Sequence, residues 1–309
     1  MSIRDKITRR KASKYLSLGS AALFIPPSIR KSSQGQMNKR SIPSTGEQLP
    51  IVGLGTWQTF DVGDSEQERA PLREVLKILV DNGGSVIDSS PMYGRSEDVV
   101  GELTSEMNSK NSLFEATKVW TSGQEKGVNQ MQRSMDLMKV QKMDLMQIHN
   151  LLDWKTHLKT LRQWKDEGKI RYIGITHYHK GGYSDVAKIL KTEEIDFLQI
   201  NYNLAVRDAS DVLLPMAKDK GVAVLINRPY QGGTLFRKAK NQSLPDWAGE
   251  FDATSWGQFF LKFILSHHAV TCVIPGTSKA KHMLDNVQAG FGSLPNSDHQ
   301  KKMIDWISA

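Results

Sequence analysis

Eight short apolar or β-branched runs recur along this chain, and a stretch with helical periodicity separates each from the next. The runs are "IVGLGT", "SVIDSS", "LFEATKV", "MDLMQIH", "RYIGIT", "DFLQINY", "VAVLIN" and "VTCVIPG". Between the first two, Leu72, Val75, Leu76, Leu79 and Val80 recur at the spacing of one apolar helix face. Val128, Met131, Met135 and Met138 form a second stripe; Trp154, Leu158, Leu161 and Trp164 form a third. These Met and Trp residues are read as helix faces packed on a sheet. Eight strands alternating with helices predict an α/β fold, a parallel (β/α)8 TIM barrel. A doubly wound sheet is the alternative, but the first strand lacks the G-x-G-x-x-G turn of that fold. "SIPSTGEQLP", with a turn at Gly46, predicts a hairpin closing the barrel bottom, and "SDHQKKMIDWI" a terminal helix.

The formal net charge is +8, but its source is local. Arg4, Lys6, Arg9, Arg10, Lys11, Lys14, Arg30, Lys31, Lys39 and Arg40 all fall in the first forty residues, against Asp5. The body has no basic stripe with interleaved aromatics, which argues against nucleic acid. "TRRKASKYLSLGSAALFIPP" resembles a twin-arginine export signal, and its apolar part is too short to span a membrane. Residues 1–38 are therefore expected to be a signal-like segment and linker, and 39–309 the barrel. The expected location is periplasmic, reached through the twin-arginine machinery; without that signal it is cytoplasmic. Cys272 is the one cysteine, so no intramolecular disulfide forms, and its place in the last run predicts an inert core thiol.

A barrel gives the chemistry-bearing residues a location, because active sites in this fold lie at the C-terminal ends of the strands. Asp88 ends the second run and Tyr93 follows in a Pro/Gly turn; Lys118 ends the third and His149 the fourth. Adjacent strands therefore bring all four to one rim. A free tyrosine, with a pKa of about 10, is too weak an acid for work near neutrality. A nearby ammonium at Lys118 is expected to lower that value, and Asp88 to partner the buried lysine. A neutral His149 would position a carbonyl oxygen, and Tyr93 would protonate it. No side chain can bring a hydride, so a cofactor is implied.

These four residues resemble the catalytic tetrad of the aldo-keto reductases. "GLGTW", the "PMYG" turn after Asp88, "ATKVW", "QIHN", "GKIRYIGIT", "QINYN" and "IPGT" stand in that family's order, from about Gly53 to Ala289. The resemblance implies a nicotinamide cofactor, NADP with NAD as the alternative, lying extended across the barrel top. It places Gln199 on the carboxamide, with Thr176 and His177 where a Ser-Asn pair is usual. Asn227 stands where many members have a stacking tyrosine, and Arg228 is expected to meet a phosphate. Thr277, Ser278 and Lys279 are implied at the adenosine phosphate, with Asp285 and Asn286 facing the adenine. His282 stands where arginine is usual, and Gly276 where many members have lysine. Trp57 and Trp120 are expected to line the mouth for a small carbonyl or sugar-like substrate.

Three functions follow. The first is a carbonyl reductase, or a cofactor-recycling sugar epimerase or dismutase at the same site. The second is an aldolase with Lys118 as a Schiff-base lysine. The third is a non-enzymatic nucleotide-sensing subunit. His177, His179, His267 and His268 show no metal-ligand spacing, so no metal is expected. "HH" at 267 and 268 is read as a helix end. Residues 236–253 are expected to form a long loop over the substrate or cofactor. A monomer is expected.

Overall fold

The computed structural model describes residues 35–308; the stretch expected to be an export signal lies outside the described residues. The chain opens with an antiparallel hairpin of β1 (Lys39–Ser41) and β2 (Gln48–Pro50), with Lys39 opposite Pro50. Gly46 turns it at φ 78°, a left-handed conformation open to glycine without steric cost. Ile42 and Leu49 from this hairpin pack with Val86, Phe114, Leu145, Tyr172 and Phe197 in one apolar cluster. The expected plug at the barrel bottom is therefore present.

Each of the eight expected runs contains a strand: β3 (Leu54–Gly55), β4 (Val86–Asp88), β5 (Phe114–Val119), β6 (Met143–Ile148), β7 (Ile170–Thr176), β8 (Phe197–Asn201), β9 (Ala223–Asn227) and β10 (Cys272–Val273). They pair in parallel in sequence order, and bridges Val52–Val273 and Gly55–Gly276 bring β3 against β10. The fold is a (β/α)8 barrel.

Outside the strands lie α1 (Glu66–Asp81), α2 (Ser96–Ser105), α3 (Gln124–Leu137), α4 (Trp154–Asp166) and α5 (Tyr183–Thr192). They are followed by α6 (Leu213–Asp219), α7 (Thr234–Lys238), α8 (Trp256–Leu265), α9 (Ala280–Gln288) and the terminal α10 (Ser297–Ser308). The three stripes read from periodicity face the sheet: Leu72, Leu76, Met131, Met135, Leu158 and Trp164 are all buried. His267 and His268 lie just past the end of α8. Cys272 is buried in β10, and burial pushes its thiol pKa up. Among the described residues no helix is long and apolar enough to cross a membrane.

Residues 236–253 are not one open loop. The end of α7 falls in this span, Asp246–Phe251 forms a 3-10 segment, and Ala248 and Phe251 are fully buried. Trp247 and Phe251 pack on Phe259 of α8, with ring centroids 5.5 and 6.0 Å apart. Tertiary burial, absent from any local pattern, orders this stretch.

Along each strand, side chains alternate between the helix layer and the barrel interior. The interior positions change character toward the strand ends. Val86 is followed two residues later by Asp88, Ala116 by Lys118, Leu145 by Gln147, Phe197 by Gln199 and Leu225 by Asn227. The lower barrel is thus closed by apolar side chains and its top floor is polar. The fit between layers is tight at Gly101 of α2, where an added Cβ would stand 2.0 Å from the Leu137 carbonyl oxygen and 2.7 Å from Met138 Cα. Gly101→Ala should therefore lower unfolding stability in urea by about 1–3 kcal/mol. Unchanged stability would show that α2 and the end of α3 can separate freely.

Candidate active site

Lys118 is fully buried, and its ammonium is held by Asp88 Oδ2 at 2.6 Å and by the Ser89 carbonyl oxygen at 2.5 Å. The second carboxylate oxygen of Asp88 accepts from Gln147 Nε2 at 2.9 Å and Gln199 Nε2 at 2.8 Å. Gln199 Nε2 also donates to Gln147 Oε1 at 3.1 Å. Asp88 therefore has partners on both oxygens, as a buried carboxylate requires. Burial alone would lower the Lys118 pKa, but Asp88 and Tyr93 outweigh it and raise it above 10.5. A Schiff-base lysine needs a neutral amine open to substrate, and this one is charged and enclosed. The aldolase reading is therefore not supported.

Tyr93 sits above this pair, with the Lys118 Nζ 4.8 Å from its ring centroid. Its pKa departs from the expected direction. Burial raises it above 10.0, the Lys118 ammonium opposes that rise, and the Asp88 charge adds to it. The ammonium lies close enough to act, but burial prevails over it.

His149 stands across from the phenol, its ring edge-on to Tyr93 with centroids 5.9 Å apart. Its Nδ1 lies 3.0 Å from the Ser90 hydroxyl oxygen. That oxygen also accepts from the Met92 N–H at 3.4 Å, and its own proton is free to turn to the imidazole. When Nδ1 accepts that proton, the ring N–H is on Nε2, the nitrogen left for a ligand. Burial, then Lys118 and His177, lower the His149 pKa to about 2, so the ring is neutral.

These groups share one cavity of about 800 Å³. Of the expected residues, Asp88, Tyr93, His149, Thr176, Gln199, Asn227, Arg228, Trp57 and Trp120 line it. Trp57 and Trp120 are 47% and 41% exposed at its mouth. Lys118 lies beneath the lining. The His177 ring turns away, its Nδ1 3.1 Å from the His179 carbonyl oxygen. Among the described residues no cluster of His, Cys, Asp and Glu could hold a metal.

The aldo/keto reductase family model matches residues 51–308. The chain belongs to the aldo/keto reductase family. It is similar to aldo-keto reductase YhdN of Bacillus subtilis, 26% identical over 217 residues, 65% of each chain. It is also similar to methylglyoxal reductase YeaE of Escherichia coli, 24% identical over 256 residues, 81% of this chain and 89% of that one. Among solved structures it resembles an aldo/keto reductase from Klebsiella pneumoniae in complex with NADP and acetate, at 21% identity and a TM-score of 0.70. That match covers 84% of this chain and 91% of the other.

Within this aldo/keto reductase, the segment from Thr277 to Asn286 lies outside the cavity lining. Thr277 Oγ1 accepts from the Lys279 N–H at 3.1 Å, Ser278 is half-buried, and Lys279 and His282 are exposed. Both oxygens of Asp285 are taken, by Ser255 and Gln258, each at 2.8 Å. Asn286 accepts from Tyr230, which itself lines the cavity, at 2.5 Å. Among the polar residues missed from sequence are Gln147, Ser90 and Asn150. The first two stand two residues from His149 and Asp88, so strand alternation carries the signal that finds them. Asn150 follows His149 at φ 52°, and no strand pattern marks it.

The neutral state of His149 has a thermodynamic consequence. Its folded pKa lies below the ordinary 6.5, so between about 2 and 6.5 the unfolded chain binds a proton that the folded one does not. Its contribution is present above 6.5 and is lost as pH falls. The wild type should lose stability through this window by up to about 1.4 kcal/mol per pH unit more steeply than His149→Gln. Parallel slopes in urea unfolding from pH 7 to 4 would contradict it.

Proposed function

We propose that the protein reduces an aldehyde or ketone with NADP(H), with Tyr93 as the proton donor. The observation that carries this reading is the convergence of a phenol, a buried Lys–Asp pair and a neutral imidazole on one cavity. An ammonium has three donors. Asp88 and Ser89 take two, and the third is available on the side of Tyr93. When Tyr93 gives its proton to a carbonyl oxygen, the phenolate that remains lies beside that ammonium. His149 donates from Nε2 to the same oxygen and holds it in line. Charge thus develops where donors already stand, which is how an enclosed site lowers a barrier.

The residues fit a nicotinamide dinucleotide. Asn227 Oδ1 is buried without a partner on the cavity wall near Gln199, and an amide N–H is the donor it lacks. Gly232 and Gly233 leave the adjoining loop open, with Arg228 on the same side for a phosphate. The first turn of α9 has no side-chain cap, and Lys279 and Lys281 are exposed beside it, which suits a further phosphate. When bound, the cofactor supplies the hydride that the protein cannot. The NADP complex of the Klebsiella relative supports the same choice.

Tyr93→Phe should reduce kcat/KM by about 10²–10⁴-fold, the usual weight of a general acid, with cofactor affinity unchanged in fluorescence titration. Lys118→Met should also lose most turnover. It leaves the Asp88 carboxylate buried and unpaired, so its stability should fall by about 3–5 kcal/mol as well. A Tyr93→Phe enzyme that turns over normally at pH 7 would remove the proton-donor assignment.

A further inference from the structure

Tyr93 lies on a short turn outside the strands, and something must hold that turn still. Ser90 and Tyr93 close its first half through the Tyr93 N–H donating to the Ser90 carbonyl oxygen at 3.0 Å. The second half runs through Gly94, at φ 60°, into Arg95, which caps α2. No side chain within α2 or at its cap satisfies its first N–H groups. Asp61, from the loop after β3, accepts the Arg95 N–H on Oδ1 at 2.9 Å. Its carboxylate also lies flat against Gly94. A Cβ there would meet Asp61 Cγ, Oδ1 and Oδ2, each at 2.3 Å. A carboxylate at a helix N-terminus is favoured by the exposed N–H groups and their aligned dipoles.

The loop that carries Asp61 is itself fastened at both ends. Phe60, its neighbour, is fully buried. On the far side Arg69, 2% exposed, donates from Nε to the Gly63 carbonyl oxygen at 2.8 Å and from Nη2 to Asp64 at 2.7 Å. Arg69 also pairs with Glu102 of α2. Asp64 in turn accepts from Arg95 Nη2 at 2.5 Å, and Arg95 reaches Asp98 at 2.9 Å. Two loops that meet at the cavity are therefore joined by a charged lattice. One carries Trp57 and the other Tyr93.

We propose that Asp61 is a positioning residue for the proton donor. It takes no part in the chemistry. By holding the Gly94–Arg95 peptide it fixes the turn that sets the Tyr93 phenol against Lys118 and His149. Asp64, Arg69 and Arg95 keep the Asp61 loop in place. The proposal rests on the assignment of Tyr93 as the acid. Its distinct content is that the precision of that acid depends on an acceptor atom from another loop.

The test compares Asp61→Ala, Asp61→Asn and Tyr93→Phe in the full chain. The readouts are kcat, KM, cofactor affinity by fluorescence titration, and thermal stability. A displacement of the order of 1 Å in a reacting group costs up to about a hundredfold in rate. Asp61→Ala should therefore lose about ten- to hundredfold in kcat, with KM and cofactor affinity near wild type. Asp61→Asn retains the acceptor oxygen and should recover most of that loss. The proposal is overturned if Asp61→Ala keeps wild-type kcat while Tyr93→Phe is inactive; the acid assignment then stands alone. It is also overturned if Asp61→Asn is as slow as Asp61→Ala, or if the loss follows thermal stability or cofactor affinity. Normal turnover in Tyr93→Phe would overturn the acid assignment and this proposal together.

Discussion

The site depends on one ion pair sealed inside the barrel, that of Lys118 with Asp88. A charge removed from water survives only if its partners replace the lost hydration. Here each partner is itself fixed. Ser89 offers a strand-end carbonyl to the ammonium, and Gln147 and Gln199 offer amides to the carboxylate. Gln147 occupies room that a larger neighbour would deny it, since a Cβ on Gly174 would stand 2.9 Å from Gln147 Cγ. The polar floor is consequently a connected network on four strands, β4, β5, β6 and β8, above an apolar plug.

That network explains why the two groups above it differ so much in electrostatic character. His149 feels burial and a nearby positive charge, both of which oppose protonation, so its pKa falls far. Tyr93 feels burial and the same ammonium with opposite effects, and the first prevails. An acid held neutral until a proton is demanded, beside a donor that is always neutral, is a consistent arrangement for protonating a carbonyl oxygen. The phenol does not need a depressed pKa in the resting protein. In the proposed reaction it needs the ammonium in place when the phenolate forms.

Much of this was legible in the chain. Apolar runs at regular spacing set the eight strands, and a titratable residue at the end of three of them set the rim. The turn at Gly46 set the hairpin. What was not legible depends on distance through space. The direction of the Tyr93 shift turns on how deeply the phenol is buried, against the pull of the Lys118 charge, and that depth is not written locally. The order in residues 236–253 comes from Trp247 and Phe251 meeting α8. Asp61 looks in sequence like any loop acid, and only the fold brings it to Gly94. The Asp285 carboxylate accepts from Ser255 and Gln258, two groups from α8 and its cap, and no local pattern marks that contact.

The proposed role of this enclosed set of donors is the reduction of a carbonyl. It is tested most directly by mixing the purified protein, loaded with NADPH, with a panel of aldehydes and ketones under single-turnover conditions. Loss of reduced-nicotinamide absorbance is followed together with alcohol formation. At least one carbonyl should give one alcohol for each NADPH oxidised, at a rate well above that of free cofactor. If NADPH binds but no member of a broad panel is reduced faster than without protein, the cavity is not a carbonyl reductase site.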